Sequence, residues 1–223
     1  EVWGKGRELI RPDALIVSAS KGIEVGSGKL VSEILMETLP REMHDRLCFL
    51  SGPSFAKEIA ERRPTAVSLA ARNETYAIAA QTLISSPEFR CYTTGDVVGV
   101  ELGGALKNVI AIAIGVADGL EAGLNSRAAL ITRGLAEITR LACAAGGQRE
   151  TTAGLSGLGD LVLTCTGNLS RNRHVGIELA RGRQLADIVS GMKMVAEGVK
   201  TTRAALALGE RYGVELPIAT QMA

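Results

Sequence analysis

The sequence predicts an α/β part followed by an all-helical part, and two observations carry that prediction. Up to about residue 95, short runs rich in β-branched and apolar residues alternate with runs of helical spacing, which is typical of a parallel or mixed sheet flanked by helices. From Gly95 onward strand signals nearly vanish, and helical runs follow one another with glycines between them. We therefore predict two domains, residues 1–96 and residues 97–223.

The α/β part is predicted to contain four strands and three helices. Two of the helices must end before a proline, Pro40 and Pro64, because the residue before proline resists the α conformation. In chain order the predicted elements are strand 13–20, helix 29–38, strand 46–51, helix 55–61, strand 65–71, helix 74–84 and strand 89–93. The helical part is predicted to contain helices 97–117, 126–145, 172–181, 184–189 and 201–212.

Composition and charge narrow the classes of partner. The formal net charge of +1 gives no electrostatic reason to expect nucleic acid or an anionic membrane. The longest apolar run near the middle, residues 109–114, is far shorter than the ~18 residues that a membrane span needs. Four well-separated cysteines with no Cys-x-x-Cys pair indicate reduced thiols rather than a disulfide framework or a metal site. We expect a cytoplasmic protein that binds no nucleic acid and no metal and has no membrane span.

Lys107 is the residue that the sequence singles out for chemistry. It lies within a long apolar helix, and the residues three and four positions away are uncharged: Gly103, Gly104, Ile110 and Ala111. Loss of water around a lysine lowers its pKa toward the range useful for general acid/base catalysis. A lysine that snorkels out of an ordinary buried helix would give the same pattern. The adjacent Asn108 and the small neighbours favour the functional interpretation.

A second feature is the stretch 167–174, which precedes an apolar helix. Ser170 suits the N-cap position, so free backbone N–H groups and the positive helix end would lie beside Arg171 and Arg173. That combination predicts a phosphate-binding site. A capped and solvated helix start is the alternative.

The turns after the first two predicted strands are a third feature. They hold Lys21-Gly22 and the run from Gly52 through Ser54 to Ala56, at the strand ends where open α/β sheets bind ligands. Asp160 suits either a partner for a nearby lysine or a simple helix N-terminal carboxylate.

Two glycine patterns do not carry nucleotide chemistry. Gly26-Ser27-Gly28-Lys29 resembles the end of a P-loop, but Ile23 and Leu30 occupy positions where that loop needs glycine and Ser or Thr. The Gly-x-Gly starts at positions 4, 26 and 157 lack the third small residue of a dinucleotide-binding fingerprint.

Six stretches in consecutive order resemble the bacterial-type glycerol-3-phosphate dehydrogenase family. They are spread over nearly the whole chain and are residues 17–24, 51–58, 101–111, 154–165, 170–173 and 195–198. The resemblance implies the C-terminal portion of a Rossmann-type NAD(P)-binding domain, followed by a helical substrate domain like the C-terminal domain of 6-phosphogluconate dehydrogenase. It also implies reversible reduction of dihydroxyacetone phosphate to sn-glycerol 3-phosphate with NAD or NADP, feeding glycerophospholipid synthesis. Helix faces rich in glycine and alanine would suit a homodimer.

The same resemblance implies a role for each matching residue. Lys107 corresponds to the general acid/base. The residues implied to bind substrate are Lys21, Gly52, Ser54, Lys107, Asp160, Ser170, Arg171 and Asn172. Those implied to bind the cofactor are Lys21, Ala56, Arg171, Val195 and Glu197.

The sequence departs from the family pattern at both ends of the chain. The family opens with a strand, a glycine-rich turn and a helix, whereas this sequence begins just before what resembles a later strand, and it stops soon after Pro217. We therefore expect cofactor binding by this chain alone to be incomplete. Two alternatives stay open: another dehydrogenase with a helix lysine, of the β-hydroxyacid or 6-phosphogluconate type, or a fragment that binds no dinucleotide.

Overall fold

The computed structural model describes residues 2–192 and 196–223 and confirms an α/β part followed by a helical part. The strands of the first part are β1 (Ile16–Ser18), β2 (Leu47–Ser51), β3 (Thr65–Ala71) and β4 (Phe89–Thr94). Its helices are α1 (Val2–Gly6), α2 (Val31–Thr38), α3 (Ala56–Ala60) and α4 (Glu74–Ile84), with 3-10 turns at Arg7–Leu9 and Arg41–Arg46. The first strand is shorter than predicted.

The second part is built around two long helices. Its helices are α5 (Val97–Gly119), α6 (Gly123–Ala144), α7 (Arg149–Ala153), α8 (Asp160–Thr166), α9 (Arg171–Ala180), α10 (Leu185–Ser190), α11 (Glu197–Tyr212) and α12 (Pro217–Gln221). A π-helical turn, Leu155–Gly159, leads directly into α8. The predicted elements do not include α1, α7, α8 or α12, since helices of five to seven residues show little helical period. The equally short α3 agrees with the predicted helix 55–61.

The sheet is mixed and has the order β1-β2-β3-β4. The pairs β1–β2 and β3–β4 are parallel, whereas β2 and β3 are antiparallel. Because β1 and β2 run in the same direction, the loops that follow them leave from one edge of the sheet. Those two loops carry the first two turns singled out in the sequence.

Alternating side chains cover both faces of the sheet. Leu47 and Phe49 of β2 pack with Leu35 of α2 and Val100 at the start of α5. On the opposite face, β2, β3 and β4 pack against α4 through a second apolar cluster: Cys48, Val67, Leu69, Ala71, Ala77, Ala80 and Cys91. The start of α5 thus closes one face of the sheet, which fixes the helical part to the sheet part.

Helix α5 is the core of the helical part. It packs against α6, α8, α9 and α11, and the core cluster around it includes Leu102, Leu106 and Val109, each worth roughly 1.5–3 kcal/mol when fully buried. By length and composition α5 could cross a membrane, but 94% of its most apolar window is buried inside the protein. Gly115 meets Gly176 of α9 at a distance that a Cβ on either would prevent. We therefore identify α5 as a core helix.

Candidate active site

Asp160 joins the two parts of the molecule through two lysines. Lys21, in the loop after β1, donates to Asp160 Oδ2 at 2.7 Å, and Lys107 of α5 forms an ion pair with Oδ1. Asp160 and Lys107 are only 1% and 6% exposed. One carboxylate therefore faces two ammonium groups in a site with little water, which leaves a surplus of positive charge.

Burial changes the acidity of Lys107. Loss of water around the ammonium group is the largest influence and lowers the pKa of Lys107 from 10.5 to about 8. The charge of Asp160 opposes that shift, while the nearby charge of Lys21 adds to it. The proposed acid/base residue thus titrates near physiological pH. The apolar helix face predicted part of this environment, and the two charged neighbours come from distant segments.

The sheet side of the site is organised by the backbone of Gly52. Its φ of +143° turns the chain at the end of β2, a conformation that L-residues rarely adopt, and an added Cβ would lie 3.0 Å from the Cα of Val67. The carbonyl oxygen of Gly52 accepts hydrogen bonds from Lys21 Nζ at 3.1 Å and Ser54 Oγ at 2.8 Å. The two turns therefore act as one unit at the sheet edge.

The start of α9 forms the opposite wall. Ser170 is the N-cap, and its Oγ accepts a hydrogen bond from the backbone N–H of Arg173 at 3.3 Å, as predicted. Arg171 is exposed at the rim of the cavity. The side chain of Arg173 turns away and pairs with Asp118 at 2.6 Å, together with Arg127. The prediction that both arginines serve the phosphate site is therefore wrong for Arg173.

A chain of hydrogen bonds through the side chains of Asn108, Asn172 and Glu197 connects three helices beside Lys107. Asn108 donates to Glu197 at 3.2 Å and accepts from Asn172 at 3.0 Å. The side-chain oxygen of Asn172 accepts from the backbone N–H of Gly198 at 2.9 Å. These bonds fix α5, α9 and the start of α11 relative to one another, and all three side chains line the cavity.

The resulting cavity has a volume of about 230 Å³ and brings together most of the predicted residues. Its lining includes Lys21, Ser54, Lys107, Ser170, Arg171, Asn172 and Glu197. Asp160 contacts both lysines, and the carbonyl oxygen of Gly52 contacts Lys21. Ala56 is the first residue of α3, next to the lining residue Phe55 but not itself in the lining, and Val195 lies outside the described residues.

Some lining residues are not among the predicted site residues, for example Asn108, Phe55, Thr164 and Leu169. From the sequence, Asn108 is only the neighbour of Lys107, with no role of its own. Thr164 is one helical turn after Asp160 and donates to its carbonyl oxygen at 2.6 Å, a spacing that the sequence could have revealed. A larger groove of about 560 Å³ between α9 and α11 is mainly apolar, and none of the predicted residues that the structure describes lines it.

Comparison with known proteins agrees with this fold. The family described as NAD-dependent glycerol-3-phosphate dehydrogenase C-terminus matches residues 96–223, and the corresponding N-terminus family matches residues 1–77. The fold and the cavity thus place the protein in the class that joins part of a dinucleotide-binding sheet domain to a helical domain. The chain belongs to the NAD-dependent glycerol-3-phosphate dehydrogenase family.

Individual relatives agree. The chain is 59% identical over 211 residues to glycerol-3-phosphate dehydrogenase (NAD(P)+) of Koribacter versatilis, covering 94% of this chain and 63% of that protein. It is 57% identical over 222 residues to the protein of that name from Myxococcus xanthus, covering 100% of this chain and 66% of that one. The crystal structure of the Coxiella burnetii enzyme has a TM-score of 0.92 at 39% identity, covering 99% of this chain and 67% of that one. The chain therefore spans just under two thirds of these curated relatives.

Proposed function

We propose that this chain carries the substrate and proton-transfer machinery of a glycerol-3-phosphate dehydrogenase. The reaction is the reversible NAD(P)H-dependent reduction of dihydroxyacetone phosphate to sn-glycerol 3-phosphate, which would feed glycerophospholipid synthesis. The single observation that carries the proposal is the buried Lys107–Asp160–Lys21 cluster beside a small cationic cavity.

Lys107 is the general acid and base. In the direction of reduction its ammonium group donates a proton to the substrate's carbonyl oxygen, and in oxidation the neutral amine takes the proton of the hydroxyl group. A pKa of about 8 keeps both forms accessible near neutral pH. Asp160 holds the ammonium group in place, and Lys21 adds a second positive charge where negative charge develops on oxygen.

The phosphate group of the substrate is proposed to lie against the start of α9. The first turn of α9, the hydroxyl of Ser170 and the guanidinium of Arg171 border the cavity there. Phosphate binds well to a helix N-terminus and to arginine. Asn172 and Ser54 complete the proposed substrate contacts, and Gly52 contributes through its carbonyl bonds to Lys21 and Ser54.

The chemistry of the lining fits one side of a pyridine dinucleotide. Lys21 and Arg171 are cations that suit its phosphate groups, and Glu197 is an exposed carboxylate that suits hydroxyl or amide donors. When bound, the nicotinamide supplies or accepts the hydride. We propose Ala56 and Val195 as further cofactor contacts from the resemblance alone. None of the three Gly-x-Gly stretches in these 223 residues completes the dinucleotide fingerprint.

Three further expectations remain proposals: the division into two domains, the cytoplasmic location and the homodimer. The division into residues 1–96 and 97–223 is supported by the end of the sheet at Thr94 and by the N-cap of α5 at Asp96. A cytoplasmic location is supported by four free cysteines. The proposed homodimer is supported by helix faces rich in glycine and alanine, but the glycines of α5 pack within the chain and do not add to that support.

A substrate comparison tests the proposed reaction. The full-length protein is assayed for oxidation of NADH and NADPH with dihydroxyacetone phosphate, and in the reverse direction with glycerol 3-phosphate, 6-phosphogluconate and a small β-hydroxyacid. We expect turnover with the three-carbon phosphate pair only. Oxidation of a β-hydroxyacid without oxidation of glycerol 3-phosphate would contradict the proposal.

A further inference from the structure

Glu101 is a buried carboxylate that the mechanism above does not use. It lies on α5 six residues before Lys107 and is 7% exposed. Burying a carboxylate is costly unless hydrogen bonds compensate, so its partners are informative. Loss of water raises the pKa of Glu101 to about 7, although its hydrogen bonds oppose the shift.

The partner of Glu101 is the start of α2. Its Oε1 accepts from the backbone N–H of Ser32 at 2.9 Å, and its Oε2 accepts from the Ser32 hydroxyl group. The N-cap residue of α2 is Leu30, whose side chain has no acceptor. Glu101 therefore does the work of an N-cap from 69 residues away.

The start of α2 is connected to Lys21 by a closed loop. Ile23 and Leu30 form an antiparallel bridge, and both are 7% exposed in the core cluster that includes α5. Ile23 lies two residues after Lys21, and Leu30 lies two residues before Ser32. The bridge thus connects the start of α2 to the segment that carries Lys21, which contacts Asp160 and through it Lys107.

We infer that Glu101 is a positioning residue. By capping α2 from within α5, it holds Lys21 against Asp160 and so keeps the positive charge of Lys21 close to the ammonium group of Lys107. The inference deepens the proposed function and rests on it. The charged or titratable groups that act on Lys107 are Asp160, Lys21 and Cys165. Those that act on Glu101 besides Ser32 are Glu33 and Arg72.

Glu137 offers a matched control. It is also a buried glutamate, 4% exposed, and it also accepts hydrogen bonds from the start of a distant helix, at Ile218 N and Ala219 N of α12. Within the described residues, its hydrogen bonds go to α12 and not to Lys21, Asp160 or Lys107. Loss of either glutamate removes a cap of the same kind, so a purely structural role predicts the same result for both.

The test measures the ionisation of Lys107 by competitive acylation of lysines across a pH series, without substrate. Because Lys21 lowers the pKa of Lys107, loosening it in Glu101→Ala should raise that pKa by roughly 0.5–1 unit. Glu101→Gln keeps an acceptor for Ser32 N–H and should restore the wild-type value. Glu137→Ala should leave it unchanged. We also expect kcat/KM at pH 7 to fall about tenfold in Glu101→Ala and to recover in Glu101→Gln.

Two outcomes would overturn the inference: an unchanged Lys107 titration in Glu101→Ala, or the same shift in Glu137→Ala. If Glu101→Ala does not fold, Ser32→Ala removes only the hydroxyl donor and should give a smaller shift in the same direction; no shift there counts against the inference. A shift of Lys107 in a protein that does not turn over glycerol 3-phosphate supports the positioning role and instead contradicts the proposed function.

Discussion

The helical side and the sheet side of the cavity hold their functional residues in different ways. On the helical side, Lys107, Asp160 and Asn172 are 6%, 1% and 8% exposed and bond to other side chains. On the sheet side, Lys21 and Ser54 are half-buried on loops that follow strands, and both bond to one backbone carbonyl, that of Gly52. One side is a buried network, and the other is a pair of loops at a sheet edge.

This difference separates two tasks. Burial lowers the pKa of Lys107, because water is removed from the charged form. The loops at the strand ends place the charge of Lys21 next to Asp160 and leave more of that side chain exposed, 17% against 8% for Lys107. We therefore assign proton transfer to the helical side, and charge and orientation to the sheet side, with Asp160 as the residue that both sides share.

The largest expected effect comes from Lys107→Met on the helical side. The change removes the proton donor and keeps most of the apolar volume. We expect kcat to fall by roughly 10²–10⁴-fold while the dissociation constant of NADH changes little. Steady-state kinetics and a fluorescence titration with NADH measure the two quantities.

The control for this change is Lys200→Met, which removes an exposed lysine of α11 outside the small cavity. It should leave kcat within about twofold, as is typical of surface substitutions away from a site. Near-normal turnover in Lys107→Met would break the assignment of proton transfer to the helical side.

Asp160→Asn breaks the link between the two sides. The change leaves the buried ammonium group of Lys107 without its ion-pair partner and next to the charge of Lys21. We expect a loss of roughly 3–5 kcal/mol in the free energy of unfolding, and a further fall in the pKa of Lys107, because Asp160 raises it. Urea denaturation measures the first quantity, and lysine acylation across a pH series measures the second.

Asp13→Asn provides the comparison for that stability loss, because the Arg11–Asp13 pair is largely exposed. Its urea midpoint should match that of the wild type. If Asp160→Asn also left the urea midpoint unchanged, Asp160 would not be needed to compensate the charges of the two lysines.

The features that could be predicted from the sequence are those that depend on residues close together in the chain. The N-cap at Ser170 and the apolar surroundings of Lys107 each depend on residues within one or two turns. The limits of β2, β3 and β4 also follow from local apolar runs, whereas the predicted strand 13–20 is longer than β1 (Ile16–Ser18). The glycine turn at Gly52 also lay in a short motif, so its position at the strand end was predictable.

What the sequence could not predict depended on distant partners. Arg173 looked like a phosphate ligand beside Arg171 until the fold brought it to Asp118, 55 residues away. The contact between Glu101 and Ser32 spans 69 residues and follows no local pattern. The direction of β3 relative to β2 was equally open, because a mixed sheet and a parallel sheet share the same alternation of elements.

A smaller effect is expected from Glu101, the α5 residue that is bonded to α2. Its ionisation should make the free energy of unfolding depend on pH. Its pKa is raised from 4.5 to about 7, so its contribution is fully present below pH 4.5 and is lost as the pH rises through 7. Glu101→Gln cannot ionise and should not show that loss. Between pH 4.5 and 8 the wild type should therefore lose up to about 3 kcal/mol relative to the variant. Parallel urea stability curves across pH 5–8 would contradict this expectation.

The smallest expected effect is that of Ser170→Ala at the start of α9. The change removes the acceptor for the backbone N–H of Arg173 and should cost about 1 kcal/mol of stability. KM for dihydroxyacetone phosphate should rise severalfold with little change in kcat, because the first turn of α9 loses its cap beside Arg171. Ser54→Ala removes a bond to Gly52 O on the sheet side and should cost less stability, since no helix depends on it. Equal losses in the two variants would mean that the two sides of the cavity are held together by the same kind of interaction after all.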